Sequence, residues 1–482
     1  IGEFLDLLGL IDWCAEVGMD VIQLLPLNDS GPDSSPYSAL SSCALNPIYL
    51  SLHALPGLHA SPMELTALTL EKRVNYRKVL NQKRFFLRQH YSEQIEALTH
   101  NPDYQKFVAN NSGWLIPYAL FKTIKEEREW RSWKTWPDPI HSPSEETIRE
   151  LSHTYRHKIT HHCALQYLCF QQMEEVREYA EEKGVLIKGD IPILISPESA
   201  DVWAERRYFN TQLSAGAPPD MYATEGQHWG FPLFNWKSIE ASDWNWWRRR
   251  LHVAQKFYHI YRLDHIVGFF RLWGIEPGKT PKEGVFVPSD PSQWIPQGKK
   301  ILELMLETST MLPIGEDLGI VPPEVRHCLH DLGISGTKVM RWERKWDHGA
   351  DFVPVEDYPA DSMTTVSTHD SETLQEWWCR YPDDVAAYCK HRHWCCTEQL
   401  SPEQHRSILS DSHHSDSLFH INLITEYLDF VPNLCWHPPE ENRMNVPGTV
   451  SDRNWSLRLR VPIEEIRSNN ELREALASVL EN

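Results

Sequence analysis

Three carboxylates in this chain each follow a short apolar run. Asp264 ends Phe257-Tyr-His-Ile-Tyr-Arg-Leu263, Glu316 follows Leu312-Pro-Ile-Gly315, and Asp370 follows Met363-Thr-Thr-Val-Ser-Thr368 and His369. Runs of this kind read as strands. On a β/α barrel the C-terminal ends of the strands converge on one face. One acid at a strand end is an ordinary surface residue; three in the same position suggest a shared site. Three acids around one sugar suit glycoside transfer. One attacks the anomeric carbon, a protonated second serves as acid and then base, and a third steadies the oxocarbenium-like transition state.

Each acid has a role that its neighbours favour. Arg262 lies two residues before Asp264, on the same face of a period-two strand, where its charge would keep a nucleophile ionised. Taken alone, that pair reads equally well as a surface ion pair. Glu316 suits the acid/base role, because it abuts Asp317 and follows an apolar strand that desolvates it. Asp370 suits the stabiliser, with His369 beside it to donate to a hydroxyl of the same sugar. His265 reads at least as well as a core histidine satisfied by backbone.

The elements that must position these residues alternate between strand and helix. Ile1 to Val17 has a helical period and Gly18 is a plausible cap. Asp20-Val-Ile-Gln-Leu-Leu-Pro-Leu27 is a buried strand, followed by a polar loop with Ser35-Pro-Tyr-Ser38. Residues 1–60 therefore open a barrel with its first active-site loop. Residues 61–180 are mostly helical in pattern and read as an inserted subdomain. Residues 181–482 read as the rest of the barrel. They begin with Gly184-Val-Leu-Ile-Lys-Gly-Asp-Ile-Pro-Ile-Leu-Ile195, a strand interrupted at Gly189-Asp190. They continue with a long shaped loop at about 215–236, rich in Gly, Pro and aromatics, and end in a mainly helical part after Leu374. Alternating strands and helices imply a parallel sheet, and their number favours closure. The expected fold is α/β, a (β/α)8 TIM barrel with helical insertions whose first strand is missing from this sequence.

Composition narrows the partners. The chain has 482 residues, 41% of them apolar, and a formal charge of −20. That charge argues against nucleic acid and anionic membranes. Twenty Trp, 17 Tyr and 16 Phe give aromatic faces that can stack on sugars, although most such residues serve cores. The ten Cys are scattered, read as reduced thiols, and point to a cytoplasmic protein. No apolar run reaches membrane-spanning length. Cys389-Lys-His-Arg-His-Trp-Cys-Cys396 has metal-binding residue types without a ligand spacing, so neither a metal nor a cofactor is expected.

Tyr261-Arg-Leu-Asp-His265, Gly315-Glu-Asp-Leu-Gly319 and Ser367-Thr-His-Asp370 closely resemble the catalytic segments of the 4-α-glucanotransferases, the amylomaltases or disproportionating enzymes related to α-amylase. Further resemblances run along most of the chain. They include Leu25-Pro-Leu27 with Ser35-Pro-Tyr37, Gly189-Asp-Ile-Pro192 with Ser199-Ala-Asp-Val-Trp203, Ala217-Pro-Pro-Asp220 with Gly226-Gln-His-Trp-Gly230, and Asn445-Val-Pro-Gly-Thr449 with Asn454-Trp455. The resemblance implies Asp264 as nucleophile, Glu316 as acid/base and Asp370 as stabiliser, with retention through a covalent glucosyl-enzyme. It also implies Tyr37, Asp190, Arg262, His369, Trp229, Gln227, Tyr222 and Asn235 as sugar-site neighbours. The implied donors are maltose, maltooligosaccharides, glycogen or other α-1,4-glucans, and the implied acceptor group is a glucose 4-OH.

Two departures stand out. The family's lid loop carries two adjacent aromatics after Pro-Pro-Asp, whereas here Met221 precedes Tyr222. The family's first barrel strand is also not seen. A retaining α-glucan hydrolase with the same acids, or a non-catalytic glucan-binding protein, are the alternatives to transfer.

Overall fold

The computed structural model describes residues 2–55, 71–219, 223–346 and 349–481. Its strands run β1 (Val21–Gln23), β2 (Leu186–Pro192), β3 (Phe209–Ala217), β4 (Gln227–Phe234), β5 (Ile260–Asp264), β6 (Leu272–Ile275), β7 (Val285–Val287), β8 (Leu312–Gly315), β9 (Gly336–Val339), β10 (Arg344–Lys345), β11 (Asp351–Phe352), β12 (Ser362–Thr365) and β13 (Phe419–His420).

One parallel series carries the site. β1, β2, β5 and β8 pair in that order, as do β9, β12 and β13. A bridge between Ile314 and Ser335 joins the two groups. There the Gly315 N–H donates to Ser335 O at 2.8 Å, and Thr337 Oγ1 donates to Gly315 O at 2.9 Å. Asp317 adds a side-chain staple by accepting from the Thr337 N–H at 2.7 Å. Among the described residues no pairing links β13 back to β1.

Helices cross between the parallel strands, which is the only short route that keeps two strands parallel. Trp294–Thr308, between β7 and β8, buries Ile301, Leu302 and Met305. Arg156–Lys183 leads into β2. It stops at Gly184, whose φ of 73° lets the chain turn and cap the helix by donating to Ala180 O. Within residues 61–180 lie the helices Tyr76–Thr99, Pro102–Glu127 and Glu145–Thr154. Asn101 starts the second of these by accepting from the Asp103 and Tyr104 N–H groups.

Three sequence expectations need correction. The strand before Ile193 is not broken at Gly189-Asp190, because both residues lie inside β2. Gly189 is needed there because a Cβ would sit 2.4 Å from the Tyr258 ring. The loop at about 215–236 is mostly a hairpin, β3 against β4, extended by β6 and β7 into an antiparallel sheet. Two register shifts in the hairpin hid its period, and Pro232 is tolerated because β4 is an edge strand. The mainly helical end also contains a parallel strand, β13, which is too short to show a period.

Candidate active site

β5 delivers the first acid. Register places Tyr261 and Leu263 on the opposite face from Arg262 and Asp264, and both apolar-face residues are fully buried. The chain leaves β5 through His265 at φ 49°, a left-handed turn that an ordinary side chain adopts only when its surroundings hold it there. Asp264 is thereby left at the strand end.

Arg262 ties the acids together. Its Nη1 contacts Asp190 Oδ2 at 2.8 Å, while its Nη2 reaches Asp264 Oδ1 at 2.7 Å and Glu316 Oε2 at 3.7 Å. Those Asp264 and Glu316 oxygens are therefore no farther apart than the sum of the last two lengths. Burial works against the Arg262 charge, but Asp190 and then Asp264 outweigh it and hold the guanidinium well above its ordinary value. The Asp190 carboxyl, fully enclosed on β2, is raised by burial despite that arginine.

Glu316 is enclosed and hydrogen-bonded on both oxygens. Its side chain is only 15% exposed, against 44% for Asp370. Burial, then the charge of Asp264, pushes its carboxyl up to about 8, against the pull of Arg262. The backbone N–H groups of His265, at 2.8 Å, and Leu318, at 3.2 Å, fix its two oxygens. Asp317, which the sequence reading credits, is not among the largest influences on that value. It turns away to Thr337 N and to Arg326 Nε, 3.0 Å from its Oδ2.

Tyr37 connects the first loop to the far side of the site. Its hydroxyl donates to Asp190 Oδ2 at 3.0 Å and lies 3.0 Å from His369 Nε2. His369 Nε2 is in turn 3.5 Å from Asp370 Oδ2. Burial drives the Tyr37 phenol well up, so it stays a neutral donor.

A cavity of about 590 Å³ gathers Tyr37, Arg262, Asp264, Glu316, His369 and Asp370. Gln227 and Trp229 line the same cavity from β4, where Trp229 Nε1 donates to Gln227 Oε1 at 3.0 Å. The Trp229 ring stands edge-on to His265, 4.9 Å between centroids. Burial lowers the His265 imidazole to about 4, so it is neutral. Asp190 sits behind Tyr37 and Arg262 rather than in the lining. Asn235 is not brought to the cavity. It is exposed and caps the helix Trp236–Ala241 by accepting from Ser238 N. Tyr222 lies outside the described residues.

Sequence reasoning assigned no role to Asn445 or Trp455, although both fall in quoted motifs. Asn445 Nδ2 donates to Asp370 Oδ1 at 2.7 Å. The Trp455 ring packs 5.5 Å from Tyr37 and 5.9 Å from His369. Arg443 holds this segment, with Nε on Asn445 O and Nη1 on Glu372 Oε1, both at 2.9 Å.

The family model described as 4-alpha-glucanotransferase matches residues 1–464. The chain belongs to the 4-alpha-glucanotransferase family. It is 42% identical to the 4-alpha-glucanotransferase of Chlamydia pneumoniae over 487 aligned positions, covering 100% of this chain and 92% of that relative. The fold matches the amylomaltase of Streptococcus agalactiae in complex with acarbose, with a TM-score of 0.83 at 24% identity, covering 98% and 93% of the two chains. It also matches amylomaltase from Corynebacterium glutamicum, with a TM-score of 0.78 at 22% identity, covering 100% of this chain and 73% of that one. This family member is thus a glucanotransferase enzyme on an amylomaltase-type parallel α/β fold. Among its described residues no helix is long and apolar enough to cross a membrane, and no group of three or more His, Cys, Asp or Glu could hold a metal ion.

Proposed function

We propose that this glucanotransferase moves α-1,4-glucan segments by a retaining double displacement, from a maltooligosaccharide donor to the 4-OH of glucose, a maltooligosaccharide or glycogen. Asp264 attacks the anomeric carbon of the donor while Glu316 gives its proton to the departing glycosidic oxygen. The shortened sugar leaves with a free 4-OH, and a glucosyl unit remains bonded to Asp264. The acceptor 4-OH then gives its proton to Glu316 and attacks the same carbon, releasing the Asp264 carboxylate. Two inversions give net retention. Asp370 steadies the cationic sugar, and Tyr37, His369 and Asn445 keep that side of the cavity in place.

The observation that carries this reading is the single Arg262 guanidinium shared by Asp264 and Glu316. It holds the two oxygens within reach of the roughly 5–5.5 Å spacing of retaining pairs. Trp229 on the β4 edge supplies an apolar wall that favours a sugar over water as acceptor.

Incubation with maltotriose tests the reading. Transfer redistributes chain lengths into a ladder while total reducing ends stay constant. A steady rise in reducing ends with shorter products alone would establish a hydrolase instead. Unchanged maltotriose would leave a glucan-binding protein.

A further inference from the structure

The reaction uses His369 and Asp370 but gives no role to the buried acid behind them. Glu426 lies in the short helix Ile424–Leu428 and is 1% exposed. It is not part of the cavity lining. Its Oε1 accepts a short hydrogen bond from Ser367 Oγ. The Leu374 N–H donates to the same carboxylate, 3.1 Å from Oε1 and 3.3 Å from Oε2. Ser367 and Leu374 are the two ends of the loop that carries His369 and Asp370.

The loop is also braced within itself. Ser371 Oγ accepts from the Thr368 N–H at 2.9 Å, and Thr368 Oγ1 accepts from the Asp370 N–H at 3.3 Å. These bonds give the loop a shape but do not fix it to the sheet. Leu374 is the first residue of the short helix Leu374–Arg380, where its backbone N–H has no helical partner. One buried group therefore bonds both ends of a segment that bears two sugar-facing side chains, alongside Thr365 Oγ1 on Ser367 O and Arg341 Nη2 on Glu372 O.

We propose that Glu426 is a positioning residue for the transfer reaction, strapping the Ser367–Leu374 loop so that Asp370 and His369 stand correctly against the donor sugar. The proposal rests on the reading that Asp370 stabilises the transition state. Misplacing such a group by about 1 Å costs on the order of 100-fold in rate. Because Asp370 acts most strongly in the transition state, the loss falls on kcat and leaves KM nearly unchanged.

The test compares wild type, Glu426→Ala, Glu426→Gln and Ser367→Ala in maltotriose disproportionation, with thermal unfolding alongside. Glu426→Ala is expected to lose about 100-fold in kcat with KM close to wild type. Glu426→Gln keeps an oxygen that can accept both bonds and is expected to restore most of the rate. A folded Glu426→Ala with wild-type kcat overturns the proposal, as does a Gln variant no better than the Ala variant. If Glu426→Ala does not fold, Ser367→Ala decides. It removes one strap only, so a drop in its kcat supports the role and an unchanged kcat contradicts it. A wild type that makes no ladder sinks the transfer reading, whereas a wild type that makes one beside an unimpaired Glu426→Ala sinks this inference alone.

Discussion

Arg262 and Asp190 form a buried ion pair, 2.8 Å apart, with Arg262 lining the cavity and Asp190 behind it. Neighbouring parallel strands supply them, and the two residues are register partners. Arg262 also pairs with Asp264, so Asp190 is one of two close carboxylates that compensate its charge. Removing one partner of a buried pair costs about 3–5 kcal/mol when the remaining charge is left uncompensated, and because Asp264 stays on Arg262 the loss falls toward the lower end of that range. Asp190→Ala should lower stability by that order in urea unfolding and remove most activity. A variant that unfolds at the wild-type midpoint would show that the pair is not what holds β2 and β5 in register.

The raised Glu316 carboxyl sets a pH limit on activity. In the proposed mechanism Glu316 must be protonated to release the leaving oxygen, so kcat/KM should fall as pH rises through about 8. Stability is linked to the same proton. The folded state holds it between the ordinary value of 4.5 and about 8, where the unfolded chain has lost it. Wild-type stability should therefore decline across that window relative to Glu316→Gln, which has nothing to ionise. Parallel stability curves for the two proteins would rule out the raised value.

Asn445 is the direct partner of Asp370 among the residues whose role sequence reasoning missed. Asn445→Ala removes the 2.7 Å bond to Oδ1. A charge-assisted hydrogen bond is worth about 1.5–3 kcal/mol, so kcat should drop by about tenfold or more. Steady-state kinetics on maltotriose would show it, and an unaltered kcat would mean that Asp370 is placed by its own loop alone.

Gly189→Ala puts a methyl group 2.4 Å from the Tyr258 ring, behind the strand that bears Asp190. Overpacking of this kind costs about 1–3 kcal/mol. Thermal unfolding should register the loss. A variant as stable as wild type would show that Tyr258 can move aside freely.

What the sequence made legible, and what it did not, follows from how far each signal reaches. The acids at or beyond the ends of β5, β8 and β12 are visible because a short apolar run leading to a carboxylate is a local pattern. Residue types also suggest an acid/base role for Glu316, but the charge that raises it most is not the chain neighbour. Asp317 is next in the chain yet faces Thr337 and Arg326, while Asp264, on another strand, acts on Glu316. Asn235 shows the same limit, since a motif position resembled a sugar contact and its side chain instead caps a helix. The link from Asn445 to Asp370 spans 75 residues, and no periodicity reports a contact of that kind. β13 was missed because two paired residues cannot display an alternation.

Loading the nucleophile tests the central claim most directly. Glu316→Gln should still accept glucose from α-glucosyl fluoride, because fluoride leaves without a proton, but it should then discharge the sugar slowly for want of a base. Mass spectrometry of the intact protein should show one added glucosyl unit, and the peptide containing Asp264 should carry it. A variant that consumes the fluoride with no adduct, or releases a product of inverted anomeric configuration, would contradict a covalent intermediate on Asp264.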